Sequence, residues 1–600
     1  MSAFRCTVLF LVLLAAPAWA QTPVEEQPPG PPPADSCALG RISYVFIDNQ
    51  SVFDTSDPTL DSRFRWAYRA ANALHWRTRE WVIRRELLFE PGSCYDPLLL
   101  EETERLLRNY DFLSRVDIFA VPLPDGTFHV IVGTRDEWST RVDIRMTGRD
   151  GFGIDGARLS EDNLFGTGQS VAVWYLERNI TREYGVTYHT PQLLSTRWDL
   201  SAALGRTRAG TLASQEIAYP FVGEVGRLAG RQSFLRQDQY FDYIAGDDAG
   251  HRAPHVLLPT REQAFDLSVV RRIGRRGNMA LLGTALTYQQ LSYPGIAEVA
   301  PDGEFSLREP APDSIADRVR VQRGERHNIR AFGLLGHRNV WWVRRRGLDS
   351  MRGQEDVRLG AEAIVGVGKS LPSIEADDDL YGMLTLYTGF EMGDFLVVGR
   401  GRADARRNLA AGASAEEWED VYAEAEVLTY LQTPVLPRHT LVFRAAGLGG
   451  WHTRTPFQLT LGGIYGLRGY DVERMPGGRR VVLTLEDRFY LGWPLPAMLD
   501  MGGTVFVDAG RMWAGDAPFG GDSGWRGAAG AGLRASFPAG SRSTYRVDFA
   551  WPLERGTSLG DVRVSLTIGE LRGILPRDDD PRLVRSRNSG VGGDMFTFRQ

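Results

Sequence analysis

The sequence has almost no lysine: among its 69 basic residues only Lys369 is one. That deficit reads as codon bias in a GC-rich genome rather than as special guanidinium chemistry. Formal net charge is -6, so nothing points to a nucleic-acid partner. Cysteine is scarce, with three residues, and the nine histidines show no zinc-site spacing. After the first 20 residues there is no apolar run of the roughly 20 residues a membrane helix needs. No phosphate-binding loop and no G-x-S-x-G motif are present, which removes the commonest nucleotide and hydrolase signatures. Asp247, Asp248, His251 and His255 form the densest candidate metal cluster. Pro254 interrupts its H-x-x-x-H pair, which therefore reads as solvated loop. No cofactor and no metal are expected, and the chain is not expected to be an enzyme.

What is present begins with an export signal over 1–20. Arg5 supplies the positive end, Val8 to Ala16 the apolar core, and Ala18-Trp19-Ala20 a cleavage site. Residues 21–36 are a Pro-rich linker. Residues 37–138 then read as a small α/β domain. A strand at 41–47 is followed by helical periodicity over 59–90, where Trp66, Ala70, Ala73 and Leu74 share one face and Val82, Ile83 and Leu87 repeat it. Pro97 starts another helix, with Leu99, Leu100, Leu106, Leu107 and Tyr110 inward. Two strands follow, 115–121 and 128–134, across a Pro124-Asp125-Gly126 turn. Cys37 and Cys94 can pair in an oxidising compartment or stand as two unrelated small residues; their spacing does not decide.

From 139 to 571 period-2 segments recur between turn signals. Val562, Val564, Leu566 and Ile568 oppose Arg563, Ser565 and Thr567, and Val357 to Val367 oppose Arg358 and Glu362. A soluble sandwich alternates too, but here the strands are many and no second hydrophobic layer is evident. Sixty-six glycines, 15 tryptophans and 20 tyrosines suit a sheet with many turns and aromatic belts. Links alternate between short (163–167, 191–195, 274–277, 392–394) and long (207–262, 293–325, 405–417, 451–478). The fold class is therefore mainly β: a transmembrane antiparallel β-barrel, the one sheet that satisfies its backbone in lipid. A direct tally gives about eighteen strands, an even number that puts both barrel ends on the short-turn side.

One turn stands out, Gly466-Leu467-Arg468-Gly469-Tyr470, upstream of two acids in alternating strands, Glu486 and Asp508. Thr504, Phe506 and Asp508 share a face, with Val505, Val507 and Ala509 on the other. An acid facing a closed interior needs a partner, and the planar fork of Arg468 can hold two carboxylates. The bland alternative is an ordinary loop arginine. Asp487 lies on the lipid-facing side between Leu485 and Phe489, where a local bulge would re-aim it.

Several segments together resemble the BamA/TamA superfamily of outer-membrane assembly and translocation barrels. Val82 to Gly92, Glu104-Arg105-Leu106-Leu107-Arg108, Phe112 and Val116 are similar to a polypeptide-transport-associated (POTRA) domain, with an added helical insertion at about 57–78. Glu161 to Gly168 looks like an early periplasmic turn of the family. Gly462 to Tyr470 matches its sixth-loop arginine signature, and 506–510, 532–534 and 548–553 match its closing strands. The resemblance implies sixteen strands, with the hairpin 379–404 as the candidate surplus pair. It also implies a sixth loop folded into the lumen, so that Arg468 meets Asp508 and Glu486 while Gly466 and Gly469 permit the turns and Tyr470 packs the tip. The implied function is assembly: accepting unfolded outer-membrane proteins by β-augmentation, at the POTRA edge 115–121 or at a seam between strands near 141–147 and 561–569, and inserting them into the outer membrane. Implied partners are the bilayer, those unfolded clients, and periplasmic chaperones or accessory lipoproteins, with the POTRA domain in the periplasm. Alternatives are a polypeptide-secreting translocator of the two-partner type and a passive outer-membrane pore. The tail, 572–600, ends in Gly593-x-x-Phe596-x-Phe598, readable as a disordered end or as a displaced assembly signal.

Overall fold

Alternating sequence becomes barrel wall from Thr140 onward in the computed structural model. The structure describes residues 37–55, 61–148, 152–178, 180–245, 255–301, 304–371, 377–409, 418–463, 465–471, 473–492, 498–554 and 556–568. The export signal, the Pro-rich linker, the tail motif, and Asp247, Asp248 and His251 lie outside these residues. Among the described residues no helix is long and apolar enough to cross a membrane.

The N-terminal unit contains β1 (Arg41–Gln50), α1 (Arg65–Leu74), α2 (Glu80–Glu86), α3 (Pro97–Arg108), β2 (Leu113–Pro122) and β3 (Thr127–Asp136). The sheet order is β1-β3-β2, with β1 parallel to β3 and β2 antiparallel at the other edge. Ile42, Val45, Val82, Ile83, Leu107 and Val130 share its core. Pro97 opens α3 as expected, with the Asp96 side chain accepting from the Leu98 N–H. The helical stretch at 59–90 divides in two because His75 and Thr78 turn back to the buried Asp136: His75 Nε2 lies 2.9 Å and the Thr78 N–H nitrogen 2.7 Å from Asp136 Oδ2. Trp66 and Leu74 do not join the core; they are 72% and 75% exposed. Cys37 and Cys94 form a disulfide with Cα atoms 5.2 Å apart, tying the start of the unit to the loop before α3.

The barrel wall runs β4 (Thr140–Gly148), β5 (Phe152–Leu164), β6 (Gln169–Arg178), β7 (Thr181–Thr190), β8 (Asp199–Thr207), β9 (Thr211–Tyr219), β10 (Leu228–Ile244), β11 (His255–Arg275), β12 (Asn278–Ser292) and β13 (Arg326–Arg346). It continues through β14 (Gln354–Ser370), β15 (Asp379–Met392), β16 (Phe395–Asn408), β17 (Trp418–Leu431), β18 (His439–Trp451), β19 (Arg479–Tyr490), β20 (Asp500–Trp513), β21 (Gly524–Ser536), β22 (Tyr545–Pro552) and β23 (Arg563–Ile568), which closes against β4. Among the described residues these are twenty wall strands, not sixteen or eighteen. The hairpin 379–404 is genuine, β15 and β16 pairing from Asp379↔Asn408 to Met392↔Phe395. The two strands beyond the tally are β9 and β10, inside the stretch read as one long link. Their alternation is masked by polar residues on both faces, as in Arg231-Gln232-Ser233 and Arg236-Gln237-Asp238.

Side chains split as the alternation requires. Leu485, Val505, Val507, Leu533 and Phe549 are exposed on the outside, while Thr504, Phe506 and Asp508 are buried inside. Asp487 needs no bulge: β18 and β19 pair regularly through Leu441↔Asp487, and its carboxylate hydrogen-bonds His439 Nδ1 at 2.9 Å near the short-turn end. A polar side chain near that edge costs far less than one at mid-membrane. The wall is uneven in height. β11 and β13 have 21 residues each, about twice the span a bilayer needs, whereas β22 and β23 have 8 and 6 described residues. At the long-loop end, α4 (Asp313–Arg320) and folded loops cover the lumen: Gln322 Nε2 donates to Thr453 Oγ1 at 2.6 Å and Gln458 Nε2 to Pro518 O at 2.9 Å. Lys369 sits at that end of β14, about half exposed, paired with Asp378.

Candidate functional site

The loop between β18 and β19 turns inward instead of outward. Its two short strands, Leu459–Thr460 and Pro476–Gly477, pair with each other, and the tip between them enters the barrel. Leu461, Leu467 and Tyr470 pack there with Val482, Met512 and Ala528 of the wall. Gly469 has φ +103°, and a Cβ on it would stand 3.0 Å from the Trp551 carbonyl carbon and 3.2 Å from Ala528 Cβ. Only glycine lets the backbone come so close to the wall. At Gly466 an added Cβ would fall 1.8 Å from Leu461 O.

This descent delivers Arg468 to the inner wall. Its Nε and Nη2 donate to both oxygens of Asp508 at 2.7 and 2.9 Å, and Nη1 donates to Glu486 Oε2 at 2.8 Å. The guanidinium lies over Phe506, 3.4 Å from the ring centroid. Thr484 Oγ1 donates to Asp508 Oδ1 at 2.8 Å, and Tyr470 OH donates to Gly527 O at 3.0 Å. The structure thus brings together Arg468, Gly469, Tyr470, Glu486 and Asp508 on one patch, with Gly466 at the bend above it.

Three further residues complete the patch. Arg546 donates to Glu486 through Nη1 and Nη2, both at 2.9 Å, and to Asp548 Oδ2 through Nε at 2.8 Å. Arg488 Nε donates to Glu486 Oε1 at 2.8 Å. Three guanidiniums therefore face three carboxylates with all six side chains at most 3% exposed. Mutual charge compensation and saturated hydrogen bonding make such burial tolerable. Arg546 and Asp548 carry the same signal that exposed Asp508, a charged pair alternating with Val547 and Phe549. Gly532 makes the room: a Cβ there would lie 2.1 Å from Asp548 Oδ1. A second tether runs from the loop to the last strand, where Arg563 Nε donates to Asp471 Oδ1 at 2.8 Å. The inward loop consequently holds β19, β20, β21, β22 and β23, the five strands leading to the closure with β4. Among the described residues the wall is short on the approach to it: β22 and β23 pair over six residues, where β10 and β11 pair over seventeen.

The short-turn mouth holds α3. Its apolar face builds the N-terminal core, but its charged face is also buried. Glu102 accepts from the Glu224 N–H at 2.8 Å and meets Arg276 at 3.0 Å. Arg105 stacks over Trp342 at 4.6 Å, and Arg108 grips Asp356 at 2.8 and 2.9 Å. Glu224, in the link between β9 and β10, is bound by Arg338; despite burial, that guanidinium with Arg272 and Arg105 holds its carboxyl down at about 2. Sequence reasoning read only the leucine face of α3, and a charged helix face ordinarily signals solvent.

At the joint between β3 and the barrel, Ser139, His75 and Asp136 line up at 3.3 and 2.9 Å in nucleophile–base–acid order. Ser139 is 2% exposed, and Asp136 also accepts the Thr78 N–H, so the chain of bonds pins the joint. Among the described residues no cluster of three or more His, Cys, Asp and Glu could hold a metal ion, and His255 instead pairs with Asp242 at 2.8 Å.

Residues 429–571, which include the inward loop and all its anchoring strands, match the Omp85 superfamily domain. No curated protein matches the chain. Among solved structures it is similar to BamA from Haemophilus ducreyi lacking POTRA domains 1–3, at 13% identity and TM-score 0.35, over 87% of this chain and 84% of that one. It is also similar to CdiB from Escherichia coli, at 12% identity and TM-score 0.41, over 88% and 76% of the two chains. CdiB from Acinetobacter baumannii gives 12% identity and TM-score 0.38, over 88% and 74%.

Proposed function

We propose, from the premise that this chain is an outer-membrane barrel carrying an Omp85 superfamily domain, that it is an outer-membrane protein assembly factor. In this reading the short-turn end faces the periplasm, and residues 37–138 act as a POTRA domain. Unfolded barrel proteins are its clients and enter by β-augmentation. The observation that carries the reading is the contrast at the closure. The strands on one side are locked to a luminal loop by buried charge, while β23 and β4, which meet at the closure, have six and nine described residues. A locked flank keeps its shape while the pairing at the closure exchanges partners, exposing backbone N–H and C=O groups to an incoming strand. The edge strand β2, with Phe119 and Val121 exposed, offers an earlier docking place.

The test is reconstitution. Purified protein in liposomes should speed folding of a urea-denatured eight-stranded barrel, read as heat-modifiable mobility on gels. No acceleration over empty liposomes, with the insertase itself correctly folded, would reject the reading. One observation favours a second reading, a polypeptide-secreting translocator of the two-partner type: α3 fills the mouth through charge pairs that can exchange. Such a protein would pass a dedicated client through the lumen without inserting barrels. A passive pore fits least, because α3 and the long-loop cover both obstruct the lumen.

A further inference from the structure

The insertion before α2 is left over by every role given above. α1 turns Tyr68, Ala71 and Asn72 toward the protein, where Tyr68 joins Phe53, Met498 and Phe537 and Asn72 exchanges hydrogen bonds with the Phe53 backbone. At 100° per residue, Trp66, Ala70, Ala73 and Leu74 form the opposite face, and all four are exposed. Arg65 and Arg69 flank that stripe, and Arg77 follows it; all three are exposed, with no ion pair among the described residues. Acids are few here: Asp61 is taken by Arg63 and Glu80 by Arg84.

Position decides what this face meets. Phe537 closes the β21–β22 turn, and Trp76, just after α1, packs edge-on against Phe165 of the β5–β6 turn with centroids 5.0 Å apart. The insertion therefore spans the short-turn rim on both sides of the β23–β4 closure. Phe165, Leu194 and Trp198 are exposed on the same rim, continuous with the outward row of Val142, Leu159 and Val173. Aromatic and basic residues at that level mark the edge of a bilayer.

We propose that α1 and the following turn, Arg65 to Arg77, form a lipid-docking element. It lays Trp66, Ala70, Ala73 and Leu74 into the membrane surface beneath the closure, and binds anionic phospholipid headgroups through Arg65, Arg69 and Arg77. An interfacial helix of this kind gains from buried apolar area and from attraction to anionic lipid, each nearby arginine strengthening association about fivefold. The proposal rests on the outer-membrane setting alone, so it survives if the insertion reading fails.

Its test uses the full chain with Leu74→Cys carrying an environment-sensitive dye, Cys37 and Cys94 being disulfide-bonded and Cys6 replaced by serine. The labelled protein is placed in amphipol, in phosphatidylcholine nanodiscs and in nanodiscs containing phosphatidylglycerol. Emission should rise roughly twofold or more from amphipol to anionic nanodiscs, with phosphatidylcholine between them, and brominated acyl chains should quench it. Arg65→Glu with Arg69→Glu should erase the difference between the two lipids while heat-modifiable mobility stays unchanged. Equal emission in all three settings with full quenching by aqueous iodide would overturn the proposal. So would a rise in amphipol that grows with protein concentration, because a second copy would then be the occupant.

Discussion

Arg468 holds Asp508 with two hydrogen bonds and Glu486 with a third, so its loss removes the guanidinium that compensates Asp508 in a closed interior, while Glu486 keeps Arg546 and Arg488. Arg468→Ala should cost about 3–5 kcal/mol of barrel stability, and Asp508→Ala a similar amount. The double variant should fall short of the sum by about 0.5–3 kcal/mol, measured as urea midpoints in detergent. Strict additivity would mean the contact contributes nothing. Glu137 tests the joint instead. Burial pushes its carboxyl from 4.5 up to about 7, against the pull of Ser541, Arg542 and Arg141. Below the lower value both states hold the proton. As pH climbs between them the unfolded chain releases it and the folded chain keeps it, so stability falls by about 3 kcal/mol and stays low above the upper value. Glu137→Gln should flatten that fall and stabilise the protein near pH 8, with no gain near pH 4.5, in unfolding curves followed across pH. At this scale the sequence spoke well where charge interrupted a strict alternation, as at Glu486 and Asp508. The same rule would have reached Arg546 and Asp548. It also reaches Arg488, two residues from Glu486 on the same face, but not that residue's second anchor, the Leu348 carbonyl 2.7 Å from its Nη1.

α3 shows what a single element can hide. Its leucines predicted a helix packed on a small core, and Leu100, Leu107 and Tyr110 do pack there, whereas Leu99 and Leu106 are half-buried outside that cluster. Its other face, with Glu102, Glu104, Arg105 and Arg108, was given no burial by the sequence and is buried in the barrel mouth. Nothing local distinguishes a charged face in water from one that meets complementary charge across a domain boundary. Arg108→Glu should loosen the docking and raise single-channel conductance in planar bilayers. Adding Asp356→Arg should restore the closed state, because the bidentate pair is rebuilt with its signs exchanged. β9 and β10 were missed for a related reason. Polar residues stand on both faces there, and the ladder, not the pattern, keeps them extended.

At the scale of the molecule, the barrel architecture and the short-turn position of both its ends were legible because alternation survives in most strands. The alternation of link lengths was legible only in part. The long-side link at 208–210, inside a stretch read as one long link, is a hairpin as tight as the turns opposite. Wall height was not legible, since it depends on where strands of 21 residues leave the bilayer. The lone lysine has a use that follows from its address on the long-loop rim. Every other basic side chain apart from histidine is a guanidinium, so an amine-directed dye too polar to cross lipid would find, besides the terminal amine of the chain, just one side chain to modify, and that side chain stands at the end away from α3. Nature has left this molecule a single side-chain handle, by which its orientation in a living envelope can be told from outside.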